Sequence, residues 1–281
     1  MTILIADSGS TKTDWCLATE KAGAARRTLR TQGINPFHQD SSQIAAILSD
    51  ELLPQLAGIE PDAIYFYGSG CRQELQPQMR HLLGKALPTA SVVEAEGDLL
   101  GAARALCGRE EGIACILGTG ANSGLYDGKA IVANTPPLGY ILGDEGSGAV
   151  LGARFLNALY RGRLPIELRE ELEQQTGLTM ATMLDRVYRQ PLANRFLASL
   201  SPFIHAHLQM AEVSDLVKEA FRVFFRLNLK PYGRSDLSVG AVGSIAYHYR
   251  GLLSEAASAE GLYLGKVLKS PLEGLADYYA H

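Results

Sequence analysis

The stretch Ile3-Leu4-Ile5-Ala6-Asp7-Ser8-Gly9-Ser10-Thr11-Lys12-Thr13-Asp14-Trp15-Cys16-Leu17-Ala18 sets small and polar residues between two apolar runs. Residues 3–6 and 15–18 read as strands, and the Gly/Ser/Thr run between them reads as the turn of a hairpin. A tip of this composition lets backbone N–H groups and hydroxyls approach phosphate oxygens, and Lys12 adds a positive charge. Asp7, at the strand end, is placed to hold a hydrated Mg2+. An ordinary polar hairpin would carry the same letters.

The design repeats further along the chain. Residues 113–117 form an apolar run, 118–123 a small-residue turn and 124–126 the start of a return strand. Asp7-Ser8-Gly9-Ser10-Thr11 aligns with Gly118-Thr119-Gly120-Ala121-Asn122, the second copy lacking the acid. A second phosphate clamp needs no second metal ligand, although a plain tight turn remains the other reading. The echo predicts duplicated α/β domains facing each other across a cleft, with the boundary near residues 107–111.

Between the two hairpins, 28–31, 63–67 and 91–95 read as strands. Helical spacing runs through Ile44, Ile47, Leu48 and Leu52, and again over 79–87 and 99–106. This alternation implies a parallel or mixed sheet. After Gly146 the chain reads as mainly helical to about residue 226, with 237–242 as a last strand and a helix from about Ile245. Domains of 1–106 and 107–270 are expected, the second with a helical insertion. A short helix over 271–281 has the first domain as its candidate docking place. In Val239-Gly240-Ala241-Val242-Gly243-Ser244, the bare backbone at Gly243 and Ser244 suits either a flat nucleoside or close helix–strand packing.

Composition narrows the function classes. Over 281 residues, 47% are hydrophobic and 20% charged, which predicts folded structure almost throughout. A net charge of -4 argues against a nucleic-acid partner, and Arg26, Arg27 and Arg30 read as a solvated strand face. Cys16, Cys71, Cys107 and Cys115 lack the spacing of a zinc site and read as reduced, buried thiols. His205 and His207, two apart on a helix, make a poor metal pair, and Trp15 reads as core. No leader pattern precedes the first strand and no run is long enough to span a bilayer, so a cytoplasmic protein without a membrane partner is expected.

Taken in order and spacing, the two hairpins and the 239–246 turn resemble the phosphate-1, phosphate-2 and adenosine motifs of the actin-like ATPase superfamily. Within it, the chain resembles the N-acetylglucosamine kinase group, which is classed with the activator ATPases of benzoyl-CoA reductase and hydroxyacyl-CoA dehydratases. Gly143-Asp144-Glu145-Gly146-Ser147-Gly148 is the most specific match, whereas 163–230 carries no recognised motif. The resemblance implies two ribonuclease H-like domains, ATP and Mg2+ as cofactors, and phosphorylation of an aminosugar at its 6-hydroxyl. It implies that Asp7, Gly9, Ser10, Thr11, Lys12, Thr119, Gly120, Gly243 and Ser244 meet the nucleotide.

By the same resemblance Asp98 is the general base, while Asn35, Asn122, Gly139 and Asp144 lie on the sugar side. Each has a bland reading too: Asp98 as a helix N-cap, Asn35 and Asp144 as turn residues, and Glu145 as a first-turn acid. One departure concerns the sugar. Members of the group often carry Gly-Trp-Gly where this chain has Pro137-Leu138-Gly139-Tyr140, which leaves N-acetylmuramic acid, glucosamine or another hexose open. A dehydratase activator is the first rival, although Cys107 and Cys115 precede the second phosphate segment. A filament or sensor protein is the second, and a homodimer is a candidate assembly.

Overall fold

The computed structural model describes residues 1–9, 11–19 and 26–280. It divides into two compact units: Met1–Glu110 with Asp127–Ile131 and Ser270–His281, and Glu111–Tyr126 with Val132–Lys269.

The first unit is built on β1 (Thr2–Ser8), β2 (Lys12–Thr19), β3 (Arg27–Gln32), β4 (Ala63–Gly68) and β5 (Val92–Gly97), in the order β3-β2-β1-β4-β5. β1 pairs antiparallel with β2 and parallel with β4, so it is central and buried almost along its whole length. β3 is an edge strand that alternates exposed and buried positions, and its Arg27 and Arg30 face outward. These arginines are not simply solvated: Arg30 Nε donates to Asp14 at 2.6 Å, Arg27 to the Gln55 carbonyl at 2.7 Å, and neighbouring Arg26 to Asp277 at 2.6 Å.

Helices α1 (Ser41–Ile47), α2 (Leu53–Leu56), α3 (Gln76–Ala86) and α4 (Asp98–Cys107) complete this part of the unit. Asp40 and Gln43 form a capping box that starts α1. Between α1 and α2 a π turn, Leu48–Leu52, brings the Leu53 N–H to the Leu48 carbonyl just before Pro54, which has no N–H to give. Trp15 lies at the centre of the core with Leu4, Phe66, Ile44 and Met79, and its indole N–H donates to Thr31 Oγ1 at 3.1 Å.

The second unit repeats the plan with β6 (Glu111–Leu117), β7 (Ala121–Asp127), β8 (Ile131–Ala133), β9 (Ser238–Val242) and β10 (Tyr263–Leu268), ordered β10-β9-β6-β7-β8. Strand for strand this is the order of the first sheet. The echo between the two hairpins therefore reflects a repeated architecture. Three sequence expectations are corrected. The last strand is β10 rather than 237–242, the return strand begins at Ala121 rather than Gly124, and a short β8 follows it.

The helices of this unit are α5 (Gly139–Leu142), α6 (Gly148–Tyr160), α7 (Ile166–Thr176), α8 (Met180–Tyr188), α9 (Ala193–Ala198), α10 (Ser201–Ala206), α11 (Ala211–Phe224), α12 (Ser244–His248) and α13 (Arg250–Ala259). In α11, Val213, Val217, Ala220, Phe221 and Phe224 form one buried stripe. Gly152 lets α9 approach α6 closely, since a Cβ there would lie 2.1 Å from the Leu197 carbonyl oxygen. The chain returns to the first unit as α14 (Leu272–Tyr278), where Gly274 packs against α4. No helix among the described residues is long and apolar enough to cross a membrane.

Candidate active site

In the first hairpin the Gly9 N–H donates to the Lys12 carbonyl at 3.0 Å, which closes the tip. Two hydroxyls below the tip are committed to the fold. Ser8 Oγ lies 2.6 Å from Thr13 Oγ1 and donates to the Ile34 carbonyl at 2.8 Å, and both hydroxyls accept from the Ile34 N–H at 3.1 Å. Gly9, Thr11 and Lys12 remain exposed, and Ser10 lies outside the described residues. A Cβ on Gly9 would meet only the Lys12 carbonyl oxygen, at 3.8 Å, so the chain's own packing does not demand a glycine there. Lys12 is not a solitary charge at the tip, because its Nζ donates to Asp14.

Three acids gather near this hairpin. Burial, with the Asp98 and Asp14 charges beside it, pushes Asp7 up to about 7, against weaker opposing effects of Lys12 and the Ser270 hydroxyl. Burial also raises Asp98, although the N–H groups of Leu99 and of Asp98 itself bond to its carboxylate and oppose the shift. Register explains how they meet. β1 and β4 pair Ser8 with Gly68, β4 and β5 pair Gly68 with Gly97, and Asp98 follows at once. Gly97 is the extended N-cap of α4 and Asp98 is its first residue, so the N-cap position falls to its neighbour while the Asp98 carboxylate takes N–H groups of the first turn.

Asn35 is buried in the turn after β3. Its Oδ1 accepts from the Phe37 N–H at 3.0 Å, its Nδ2 donates to Ser69 Oγ at 3.3 Å, and its N–H donates to Gln39 Oε1 at 2.7 Å. The turn role read from the sequence is thus realised. Gly70, at φ +75°, has to be a glycine, since a Cβ would lie 2.1 Å from Asn35 Oδ1.

In the second unit the loop after β6 is tied to the start of α6. Gly148 N–H donates to the Gly118 carbonyl at 2.8 Å and Ala149 N–H to the Thr119 carbonyl at 3.1 Å. Since N–H and C=O point oppositely in a trans peptide, the N–H groups of Thr119 and Gly120 are directed away from α6. Successive N–H groups so aimed suit an anion. A Cβ on Gly118 would meet nothing within 4 Å.

Asp144 adjoins this loop. A Cβ on Gly120 would lie 3.0 Å from its Oδ2, the Ala121 N–H bonds its carboxylate, and burial raises its pKa despite that bond. Its φ of 53° is unusual for a non-glycine residue. Asn122 Oδ1 accepts from the Ser123 N–H and from Asn134 Nδ2, both at 2.9 Å, and Glu145 accepts from Asn228 Nδ2 at 3.1 Å. Gly139, at φ +74°, opens the exposed α5, where Ile141 and Leu142 are 77% and 74% exposed.

Gly243 follows β9 with φ +122°, and a Cβ there would lie 2.3 Å from the Leu117 carbonyl oxygen. Close backbone approach therefore explains this glycine, and exposed Ser244 begins α12 beside it.

The donor set fits a weakly held Mg2+. No cluster of three or more His, Cys, Asp or Glu side chains among the described residues could hold a metal, but Asp7 and Asp98 present crowded acid groups that a divalent cation would relieve. Mg2+ commonly keeps several waters and takes phosphate oxygens beside one or two carboxylates, so the fit does not require a cluster of three protein ligands. Cys16, Cys71 and Cys115 are buried, and Cys107 is half-buried.

No protein-family model matches the chain, and no curated protein matches it. Among solved structures, a Porphyromonas gingivalis protein provisionally named N-acetylglucosamine kinase is 51% identical, over 99% of this chain and 98% of that one, with a TM-score of 0.94. A Chromobacterium violaceum protein with the same provisional name shares the fold at 19% identity and TM-score 0.69, over 99% and 98% of the two chains. A ROK hexokinase from Thermus thermophilus shares it more distantly, at 17% identity and TM-score 0.51, over 99% and 97%. Two α/β units of matching strand order, each opening on a hairpin with a small-residue tip, and a full-length likeness at this identity agree: the chain belongs to the N-acetylglucosamine kinase group of the actin-like ATPase superfamily.

Proposed function

We propose that this chain transfers the γ-phosphoryl group of MgATP to a hydroxyl of an aminosugar, N-acetylglucosamine being the first candidate and its primary, least hindered 6-hydroxyl the acceptor. The observation that carries the reading is the electrostatic coupling of Asp98, just past the end of β5, to Asp7 near the end of β1 with only β4 between those strands, beside an exposed hairpin tip whose glycine the fold does not require. Likeness to the P. gingivalis protein over the whole chain supports the same chemistry.

In this reading Asp98 orients the sugar hydroxyl and accepts its proton, a carboxylate tuned upward by burial being better matched to that task than an ordinary one. The N–H groups of the Thr119–Gly120 turn stabilise phosphate charge, while the bare backbone at Gly9 lets phosphate come close and Thr11 and Lys12 add a hydroxyl and a cation. Lys12 would exchange Asp14 for phosphate. Asp7 would hold Mg2+, which when bound neutralises charge on the phosphates. Asp144, Asn35, Asn122 and Gly139 are assigned to the sugar, and Gly243 with Ser244 to the nucleoside. ATP supply places the reaction in the cytoplasm.

The test is an ATP-consumption assay across aminosugars and hexoses, with the product's phosphorylated position read by NMR. Turnover dependent on N-acetylglucosamine is expected. ATP hydrolysis indifferent to every sugar would overturn the assignment and favour the filament or activator reading.

A further inference from the structure

Under α4, the first unit buries a polar cluster that the proposed chemistry does not use. Arg104 Nη1 donates to Tyr67 Oη at 2.5 Å, to Tyr279 Oη at 2.9 Å and to Glu94 Oε2 at 3.3 Å. The two phenolic oxygens lie 2.5 Å apart, and the Tyr279 ring stacks on Tyr65 at 3.7 Å. Arg104 Nε is buried without a hydrogen-bond partner. A buried charge with one donor unpaired is a poor stabiliser, and such groups are better explained by what they hold in place.

What the cluster holds is α4. Arg104 sits six residues after Asp98 on that helix, about 9 Å along its axis. Gly101, between them, rests on the Tyr67 ring, where a Cβ would lie 2.6 Å from Cγ. Tyr67 in turn is the partner of Asp7 in the β1–β4 register. Its ring therefore sets the height of the first turns of α4 beside the strand that carries Asp7. From the other side, α14 closes on α4 through Gly274, where a Cβ would lie 2.6 Å from the Ala105 carbonyl oxygen. Tyr279, just past the end of α14, reaches the cluster across 175 residues of sequence from Arg104.

We propose that Tyr279, acting through Arg104 and Tyr67, is a positioning residue that fixes Asp98 relative to Asp7, so that the last turn of the chain is a latch for the catalytic acid. The inference rests on Asp98 as the base. Burial raises the Tyr67 phenol to about 12 and raises that of Tyr279 too, so both stay protonated beside the Arg104 cation through the physiological range.

Tyr279→Phe keeps the ring on Tyr65 and removes only the hydroxyl. In the full-length protein, well below its melting temperature, kcat is expected to fall about tenfold while the KM values for ATP and sugar stay within about twofold. The acid limb of the kcat–pH profile should also move to lower pH, because a loosened α4 admits water to Asp98 and relaxes its raised pKa. A merely destabilised protein would lose active fraction at every pH without moving that limb. Arg104→Lys, which keeps the charge but cannot bridge both phenols, should reproduce the effect. Wild-type kcat and an unmoved limb in both variants would overturn the latch alone. Full activity in Asp98→Asn would instead overturn the base assignment, and the latch with it.

Discussion

Asp7 and Asp14 stand directly opposite each other on β1 and β2, and their carboxyl groups are driven in opposite directions. Burial works to raise both. At Asp14 the bonds from Lys12 and Arg30 outweigh it and the pKa falls, whereas at Asp7 the neighbouring charges of Asp98 and Asp14 add to it. The hairpin thus satisfies one acid internally and leaves its partner crowded.

That asymmetry gives a pH dependence. Asp7 titrates at about 7 in the fold against 3.8 for the ordinary side chain, so the folded chain holds this proton more tightly than the unfolded one. Its contribution to stability is fully present below pH 3.8, declines as pH rises, and is lost above about 7. Asp7→Asn should therefore melt higher than wild type near pH 8 without ligands, with the difference shrinking toward pH 5. Parallel melting curves across that range would show that Asp7 is not strained.

Asp98→Asn should lower kcat about 10²–10⁴-fold, the range typical of general-base removal. An asparagine keeps a side-chain oxygen able to accept from the N–H groups of Leu99 and of residue 98 itself at the start of α4, so folding should survive the change. Nucleotide affinity measured by calorimetry should stay within about twofold of wild type. Loss of nucleotide binding in step with kcat would mean that Asp98 serves the phosphates instead.

The glycines divide into two groups with opposite expected outcomes. Gly9→Ala and Gly118→Ala add a Cβ that meets ordinary contact or nothing, so melting temperature should hold while MgATP affinity falls about tenfold or more. Gly243→Ala forces an L side chain to φ +122° against the Leu117 carbonyl. Backbone strain of this kind costs about 1–3 kcal/mol, so melting should drop by several degrees. Unchanged affinity in both of the first two variants would remove the tips from the nucleotide site.

Both hairpins were legible in the sequence because each is local: an apolar strand, a small-residue tip and a return strand within a few residues. Trp15 as core followed from the same reasoning. β10 was not legible, because Gly265 and Lys266 interrupt its apolar run and its pairing shifts register between Leu264 and Val267. The commitment of Ser8 and Thr13 to Ile34 depends on a residue of the turn after β3, more than twenty positions away. Arg104 gave no signal at all, since its partners Tyr67 and Tyr279 are brought together only by the return of α14 to the first unit.

In the second unit, Glu260 carries a purely structural prediction. Its carboxylate accepts from Lys230 at 2.7 Å and from Arg226 and Arg222 at 2.9 Å each, joining the end of α13 to α11 and the turn that follows it. The bond from Lys230, followed by those from Arg226 and Arg222, holds its pKa down to about 2 against an opposing effect of burial. A depressed acid stabilises the fold above its ordinary pKa of 4.5, and that contribution is lost as pH falls toward 2. Glu260→Gln should therefore melt a few degrees lower than wild type at pH 7, with the gap narrowing below about pH 4. Because the three cations are partly exposed, salt should narrow the gap too, and MgATP affinity should not change. A gap that persists unchanged at pH 3 would show that the carboxylate's packing, rather than its charge, joins these helices.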